Sequence, residues 1–307
     1  MTTSSTTSAL TPFNAFLLVI PALLWAGNAV VGRLIYELVP PVTLNFLRWA
    51  TAFVFLLPLA YPVLRLSSPL WPNWRRYAVL SLLGVGCYNT FQYMALHTSS
   101  PINVTLVASS SPVFMLAVGA LFFKQTIQMR QIAGACLSIM GVIWVLSRGD
   151  WHNLLQVKWV IGDLYVILAT IAWAVYSWML SINKDPAELR SNWAYFLMAQ
   201  VTMGLVWTSA LTTAEWTLTD AHIVWGWPVA LALIYVALGP AILAYRCWGL
   251  GVQRVGPNIA GFFSNLTPLF AAIFSSLALG DTPKIYHAIA FLLIVGGIYV
   301  SSRKPNQ

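Results

Sequence analysis

The sequence predicts an all-α integral membrane protein: ten transmembrane helices as two inverted five-helix repeats around a central cavity. Three observations lead there. First, 59% of the 307 residues are hydrophobic and 8% charged, with a mean hydropathy of +0.75, which leaves too little polar surface for a soluble domain. Second, apolar runs long enough to cross the hydrocarbon layer recur at roughly 14–36, 41–62, 76–97, 101–123, 130–147, 160–182, 191–211, 225–248, 257–279 and 284–302. Third, the chain repeats itself: QYMALHTSSPINVTLVASSSPVFMLAVGALFFKQT, from Gln92, returns as WGLGVQRVGPNIAGFFSNLTPLFAAIFSSLALGDT, from Trp248. One shift of 156 positions (257 − 101 = 156) lays Pro101 on Pro257, Pro112 on Pro268, Phe114 on Phe270, Leu121 on Leu277, Thr126 on Thr282 and Gly141 on Gly297, with no gap. Glycine and proline fix backbone geometry, so their shared spacing outweighs shared leucines.

Taken in order, residues 1–12 read as a disordered Ser/Thr-rich tail without the basic start of a secretory signal, 13–152 as the first repeat, 153–303 as the second, and 304–307 as a C-terminal tail. Punctuation such as Pro40-Pro41, 67–72, 147–156, 184–190 and 212–222 separates the spans, and no gap is long enough for a soluble domain. With the N-terminus inside, Arg65, Arg75, Arg76, Lys124, Arg130, Lys184, Arg190, Arg254, Arg303 and Lys304 fall on the cytoplasmic side, and Arg33, Arg148, Lys158 and Lys284 outside. The basic residues therefore place both termini in the cytoplasm of an inner-membrane, multi-pass protein. Because five spans per repeat is an odd number, the second copy enters the bilayer from the opposite face. Any binding site is expected at the seam, near mid-depth, in a protein that works by alternating access.

The net charge of +8 does not indicate nucleic acid, because the basic residues are scattered among short gaps rather than gathered on one face. Cys87, Cys136 and Cys247 lie in apolar runs without a C-x-x-C spacing and read as packing residues. The acidic residues and histidines sit in gaps or at span ends, and no H-E-x-x-H, G-x-S-x-G or phosphate loop occurs. The expectation is a protein that is not an enzyme and has neither cofactor nor metal. A proton-coupled carrier needs a buried titratable group, so facilitated passage down a gradient is expected over strict proton antiport.

The candidate binding residues are uncharged. Trp25 and Asn28 share a face of helix 1; Tyr88 and Gln92, with Asn89 beside them, face inward from helix 3; Trp173 and Tyr176 repeat the pattern on helix 6. Helix 4 adds Ser109 and Ser110 before Pro112, and helix 9 adds Phe262 and Asn265 before Pro268. Each proline frees a carbonyl one turn earlier and reads as a hinge. Arg48, several residues into helix 2, is a buried charge that either locks helices through backbone carbonyls or receives a carboxylate, whereas Arg246 can snorkel to the interface.

Two five-helix halves, each closing with SSSPVF and GACLSIMGVIWVL or with SNLTPLF and AFLLIVGGIYV, resemble the drug/metabolite transporter superfamily, in particular its ten-helix EamA-type exporters. FLRWATAFVFLLPL, with Arg48 in the family's arginine place, and LLWAGNAVVGRLI are similar too, and the Trp/Tyr-rich helices 1, 3 and 6 look most like the YddG-type aromatic amino acid exporters. Where many relatives carry Gly-Glu after helix 4, this chain has Lys124-Gln125, and after helix 9 Gly280-Asp281. The lining suits export of aromatic and other apolar amino acids with broad specificity, and the resemblance points the same way; the expected partners are that small-molecule cargo and the lipid bilayer, and the protein is expected to be monomeric. In such a site amides and hydroxyls receive the carboxylate, while freed carbonyls and aromatic faces receive the ammonium. Export of other small metabolites or lipophilic drugs, with or without proton coupling, and a structural or channel subunit stay open as alternatives.

Overall fold

A computed structural model describes residues 10–99, 101–155, 158–278 and 284–303, without the side chains of 101–103, 275 and 278. Among these residues the regular structure is helical. Thr11 starts α1 (Pro12–Leu34) by accepting the Asn14 amide at 3.2 Å, with Pro12 in the first turn, where a missing N–H costs nothing. Next come α2 (Pro41–Ala60) with a 3₁₀ turn (Tyr61–Leu64), α3 (Trp74–Ser81), a π-helical turn (Leu82–Cys87) and α4 (Tyr88–Thr98). α5 (Pro101–Ala108) and α6 (Ser111–Phe123) follow with a break between them, then α7 (Met129–Leu146). The second half runs α8 (Ile161–Ser181), the short α9 (Ala187–Ser191), α10 (Trp193–Leu218), α11 (Trp227–Val236), a second π-helical turn (Ala237–Leu243) and α12 (Ala244–Val255). It closes with α13 (Pro257–Phe263), α14 (Leu266–Ala278) and α15 (Ile285–Ser302).

Eight of these stretches are long and apolar enough to cross a membrane: Pro12–Leu34, Pro41–Leu64, Val104–Phe123, Met129–Leu146, Ile161–Ser181, Trp193–Leu218, Trp227–Val255 and Ile285–Ser302. Two further helical rods, 74–98 and 257–278, are not among the eight. The first begins with Arg75 and Arg76 and carries Asn89 and Gln92; the second is interrupted at Ser264-Asn265.

One boundary departs from the sequence reading. The polar stretch from Thr212 reads as a gap, yet α10 continues to Leu218. Pro40, the N-cap of α2, has no side-chain acceptor, and Glu215 supplies one from across the bundle. Its carboxylate accepts the Val42 and Thr43 amides at 3.0 and 2.7 Å and the Thr43 hydroxyl at 2.6 Å, and Trp216 Nε1 donates to Thr43 Oγ1 at 2.8 Å. A negative charge on the orphan amides of a helix N-terminus is favourable, so the last polar turn of α10 is fixed by the start of α2.

The duplication appears in the packing as well as the sequence. The π turn Leu82–Cys87 maps onto 238–243 under the shift of 156 (82 + 156 = 238), within the second π turn, and Met129–Leu146 maps onto 285–302, the whole of α15. α7 and α15 cross at van der Waals closeness. A Cβ at Gly134 would stand 2.6 Å from Gly297 O, one at Gly297 2.6 Å from Gly134 O, and one at Gly141 2.9 Å from Ala290 O. Since 134 + 156 = 290 and 141 + 156 = 297, the crossing is reciprocal between equivalent positions and the two helices run antiparallel.

Candidate functional site

A cavity of about 350 Å³ opens at the end of the bundle where α1 finishes. Its walls come from α1 (Trp25, Asn28, Arg33), α4 (Tyr88, Gln92, Leu96), α5 (Val104, Thr105, Ala108) and the break into α14 (Ser264, Pro268, Ala271). Among the described lining residues Arg33, at the mouth, carries the one charge. Helical spacing explains the polar wall. Gln92 sits one turn after Tyr88 and donates from Nε2 to its hydroxyl at 3.2 Å, while Tyr93 on the next stripe donates to Asn28 Oδ1 at 2.9 Å.

The floor is a plug of aromatic rings. Trp173 is its hub, with ring centroids 4.5 Å from Tyr88, 5.1 Å from Trp25, 5.0 Å from Tyr176, 5.3 Å from Trp248 and 5.5 Å from Tyr245. Such rings are held together by edge-to-face and offset contacts as well as by burial. The two π turns fix the plug. A π turn bonds i to i+5, so it leaves carbonyls that side chains must satisfy. Trp25 Nε1 donates to Pro240 O at 3.2 Å, the Tyr245 hydroxyl donates to Gly84 O, and Asn45 Nδ2 donates to Val85 O at 2.9 Å. Asn89 Nδ2 reaches the Tyr245 hydroxyl at 3.1 Å, a bond between equivalent positions of the repeat (89 + 156 = 245).

Beyond the plug the opposite end is shut. There α13, the counterpart of α5, lies on α6 and α8, with Ala260 and Phe262 fully buried. Gly261 makes this possible: a Cβ there would come 2.7 Å from Met115 Cγ and 3.7 Å from the Pro112 backbone. What is left is a pocket of about 120 Å³ between α8, α10 and α12, bordered by Tyr176, Gln200 and Tyr245. Outside it Asp185 takes Arg76 Nε at 2.6 Å and Arg190 Nη1 at 2.8 Å, while Arg76 Nη2 also donates to Met179 O at 3.0 Å. This cluster ties the end of α8 to the start of α3, with two cations on the carbonyls of a helix C-terminus.

The structure brings Trp25, Asn28, Tyr88, Gln92, Ser109 and Pro268 to the cavity wall. Trp173 lies in the plug rather than on the wall, and Tyr176 faces the far pocket, donating to Gln200 Oε1 at 2.9 Å. Asn89 is buried behind the wall. Phe262 is in the closed contact, and Asn265 donates to Ser138 Oγ at 2.9 Å. Ser109 and Ser110 hydroxyls turn back to Leu106 O and Val107 O at 2.6 and 2.5 Å, at the break between α5 and α6. Pro112 starts α6, so it follows a full break rather than a kink inside a continuous helix; α13 and α14 are broken the same way before Pro268. Arg246 stacks 4.3 Å over the Trp193 ring, and Gly280-Asp281 lies outside the described residues. Sequence reasoning missed Tyr245 and Trp248. The repeat itself held the signal, since the shift of 156 lays them on Asn89 and Gln92.

Comparison with known proteins agrees with this architecture. A transporter of Archaeoglobus fulgidus, itself uncharacterized, is 26% identical over 95% of this chain and 98% of its own. The aromatic amino acid exporter YddG of Ancylobacter novellus is 25% identical over 76% of each chain, and a probable amino-acid metabolite efflux pump of Salmonella typhimurium 23% identical over 94% of each. A solved crystal structure with a TM-score of 0.70, 22% identical, covers 94% of this chain and 97% of its own and shares the fold. The model of the EamA-like transporter family matches residues 12–147 and again 160–303. The chain belongs to the EamA-like transporter family.

Proposed function

We propose that the protein exports aromatic and other apolar amino acids by alternating access, as a monomer with both termini in the cytoplasm, and that 74–98 and 257–278 also cross the bilayer to make ten spans in two inverted repeats. One observation carries this reading. Equivalent clefts of the two halves are in opposite states, one open as a cavity and one shut, with the aromatic plug between them. A carrier that passes cargo from face to face needs that arrangement.

The reciprocal Gly134–Gly297 and Gly141–Ala290 contacts support the inverted relation, and so do the two segments matched by one family model. The cavity's chemistry supports the cargo. Indole and phenol rings offer apolar surface and cation–π faces, and the Asn28 and Gln92 amides offer donors. The names of two relatives, an aromatic amino acid exporter and a probable amino-acid metabolite efflux pump, point the same way. With no carboxylate or histidine among the described lining residues, transport runs down the cargo gradient. Counterflow of labelled phenylalanine or methionine in proteoliposomes tests the proposal. Accumulation competed by unlabelled amino acids and unchanged by a proton-gradient jump is expected; absence of amino acid flux overturns the cargo, and strict dependence on the proton gradient overturns the mode.

A further inference from the structure

We infer that Arg48 is the core of an anion site at the base of the cavity, one that takes the carboxylate of the cargo or a free halide. Arg48 is fully buried. A guanidinium presents five N–H donors and cannot shed its charge. Nη1 is used: it donates to Asn89 Oδ1 at 2.9 Å, the Tyr93 hydroxyl at 3.2 Å and, at a long 3.4 Å, Asn28 Oδ1. Nε and Nη2, three of the five donors, have no hydrogen-bond partner, and the guanidinium lies 5.3 Å from the centroid of the Trp49 ring, which accepts no such bond in its place.

Nor is there a counter-charge among the described residues. Glu37 bonds Tyr36, Asp150 bonds His152, Asp163 bonds Ser99, Asp185 holds two other arginines, Glu215 caps α2, and Glu188 and Asp220 are exposed away from the plug. A charge taken out of water with neither an ion partner nor a full set of hydrogen bonds is costly, and in membrane helices it marks a ligand pathway. Locking helices through backbone carbonyls does not account for it, since the three bonds Arg48 makes are all to side chains.

The surroundings are rich in donors as well. Trp49 Nε1 and Trp173 Nε1 are also buried and unpartnered, and both rings pack on Tyr245, at 4.9 and 5.5 Å. Arg48 lies one layer behind the cavity wall, because Asn28 and Tyr93, which it contacts, both line the cavity. The long bond to Asn28 is the weakest of the three, and an anion descending from the cavity replaces it with a charge-assisted pair. The cargo form of this inference rests on the amino acid reading above; the anion site itself does not.

Binding to the purified protein in nanodiscs, in chloride-free methanesulfonate buffer, tests the site with three probes: phenylpropionate, phenethylamine and iodide. If the cargo carboxylate is the anion, phenylpropionate binds, phenethylamine binds at least about tenfold more weakly, and R48Q loses about tenfold for phenylpropionate alone. If a halide is the anion, iodide binds and R48Q abolishes it, while phenylpropionate does not compete. Both results support the site. Failure of wild-type protein to bind either anion, or equal binding by R48Q, overturns it. Should R48Q not fold, R48K keeps the charge without the planar fork and is expected to bind the effective anion several-fold more weakly, and the wild-type comparison stands alone. Phenylalanine counterflow separates this inference from the functional one. Flux without any anion binding removes the site and leaves export; anion binding without amino acid flux removes export and leaves the site.

Discussion

α5 and α13 are the same element in two copies of one unit, and they do opposite things. α5 stands off α1 and α14, and the space between them is the cavity. α13 lies against α6 and α8 and closes the matching cleft. The contrast is written in single residues. At the closed end Gly261 receives Met115 beside Pro112; at the open end its equivalent is Thr105 (105 + 156 = 261), which faces Pro268 and Ala271, the equivalents of Pro112 and Met115, across the cavity. A large residue over a glycine shuts one side, and a medium residue opposite an alanine leaves space on the other. At the α7/α15 crossing the backbones of the two halves touch, and little can slide there.

Breaking the open side has the largest expected effect. Ala108→Trp fills the cavity from α5, and flux should fall at least about tenfold, equivalent to ~1.4 kcal/mol or more, with thermal stability retained. At the closed end, Gly261→Val forces a side chain into Met115. It should cost about 1–3 kcal/mol and raise thiol accessibility near α13, with Met115→Ala restoring closure in the double variant. Asp185→Ala releases Arg76 and Arg190 from the same end. With the arginines partly exposed and the acid buried, about 1–2 kcal/mol is expected, read as a shift in spin-label distance between α3 and α9 toward the conformation open at that end. The smallest change should leave the comparison untouched. Lys124 ends α6 in the left-handed region (φ 53°), so Lys124→Gly should raise thermal stability by about 1 kcal/mol with flux unchanged.

Much of this was legible in the chain. Length and apolarity of the runs gave the helices, because a bilayer demands both, and the Gly/Pro register announced the duplication. Tyr88, Gln92 and Asn28 fell on inward faces by simple helical spacing. Three things were hidden. The end of α10 depends on Glu215 reaching a helix start 172 residues away, which no local pattern contains. The π turns leave no periodic mark, although Gly84, Gly86 and Gly239-Pro240 sit inside them. Trp173 and Phe262 show that an inward face can be plug or closed contact as easily as cavity wall, since helical phase alone does not say which cleft is packed and which is open.

Leu96 and Val252 are equivalent positions (96 + 156 = 252), the first on the cavity wall, the second fully buried at the closed end. In a background lacking Cys87, Cys136 and Cys247, Leu96→Cys and Val252→Cys should react with a membrane-impermeant thiol reagent from opposite faces of the membrane. Saturating phenylalanine should change the two rates in opposite directions. Labelling of both from one face, or a Val252→Cys thiol that stays unreactive whatever cargo is present on either side, would contradict alternating access between the two halves.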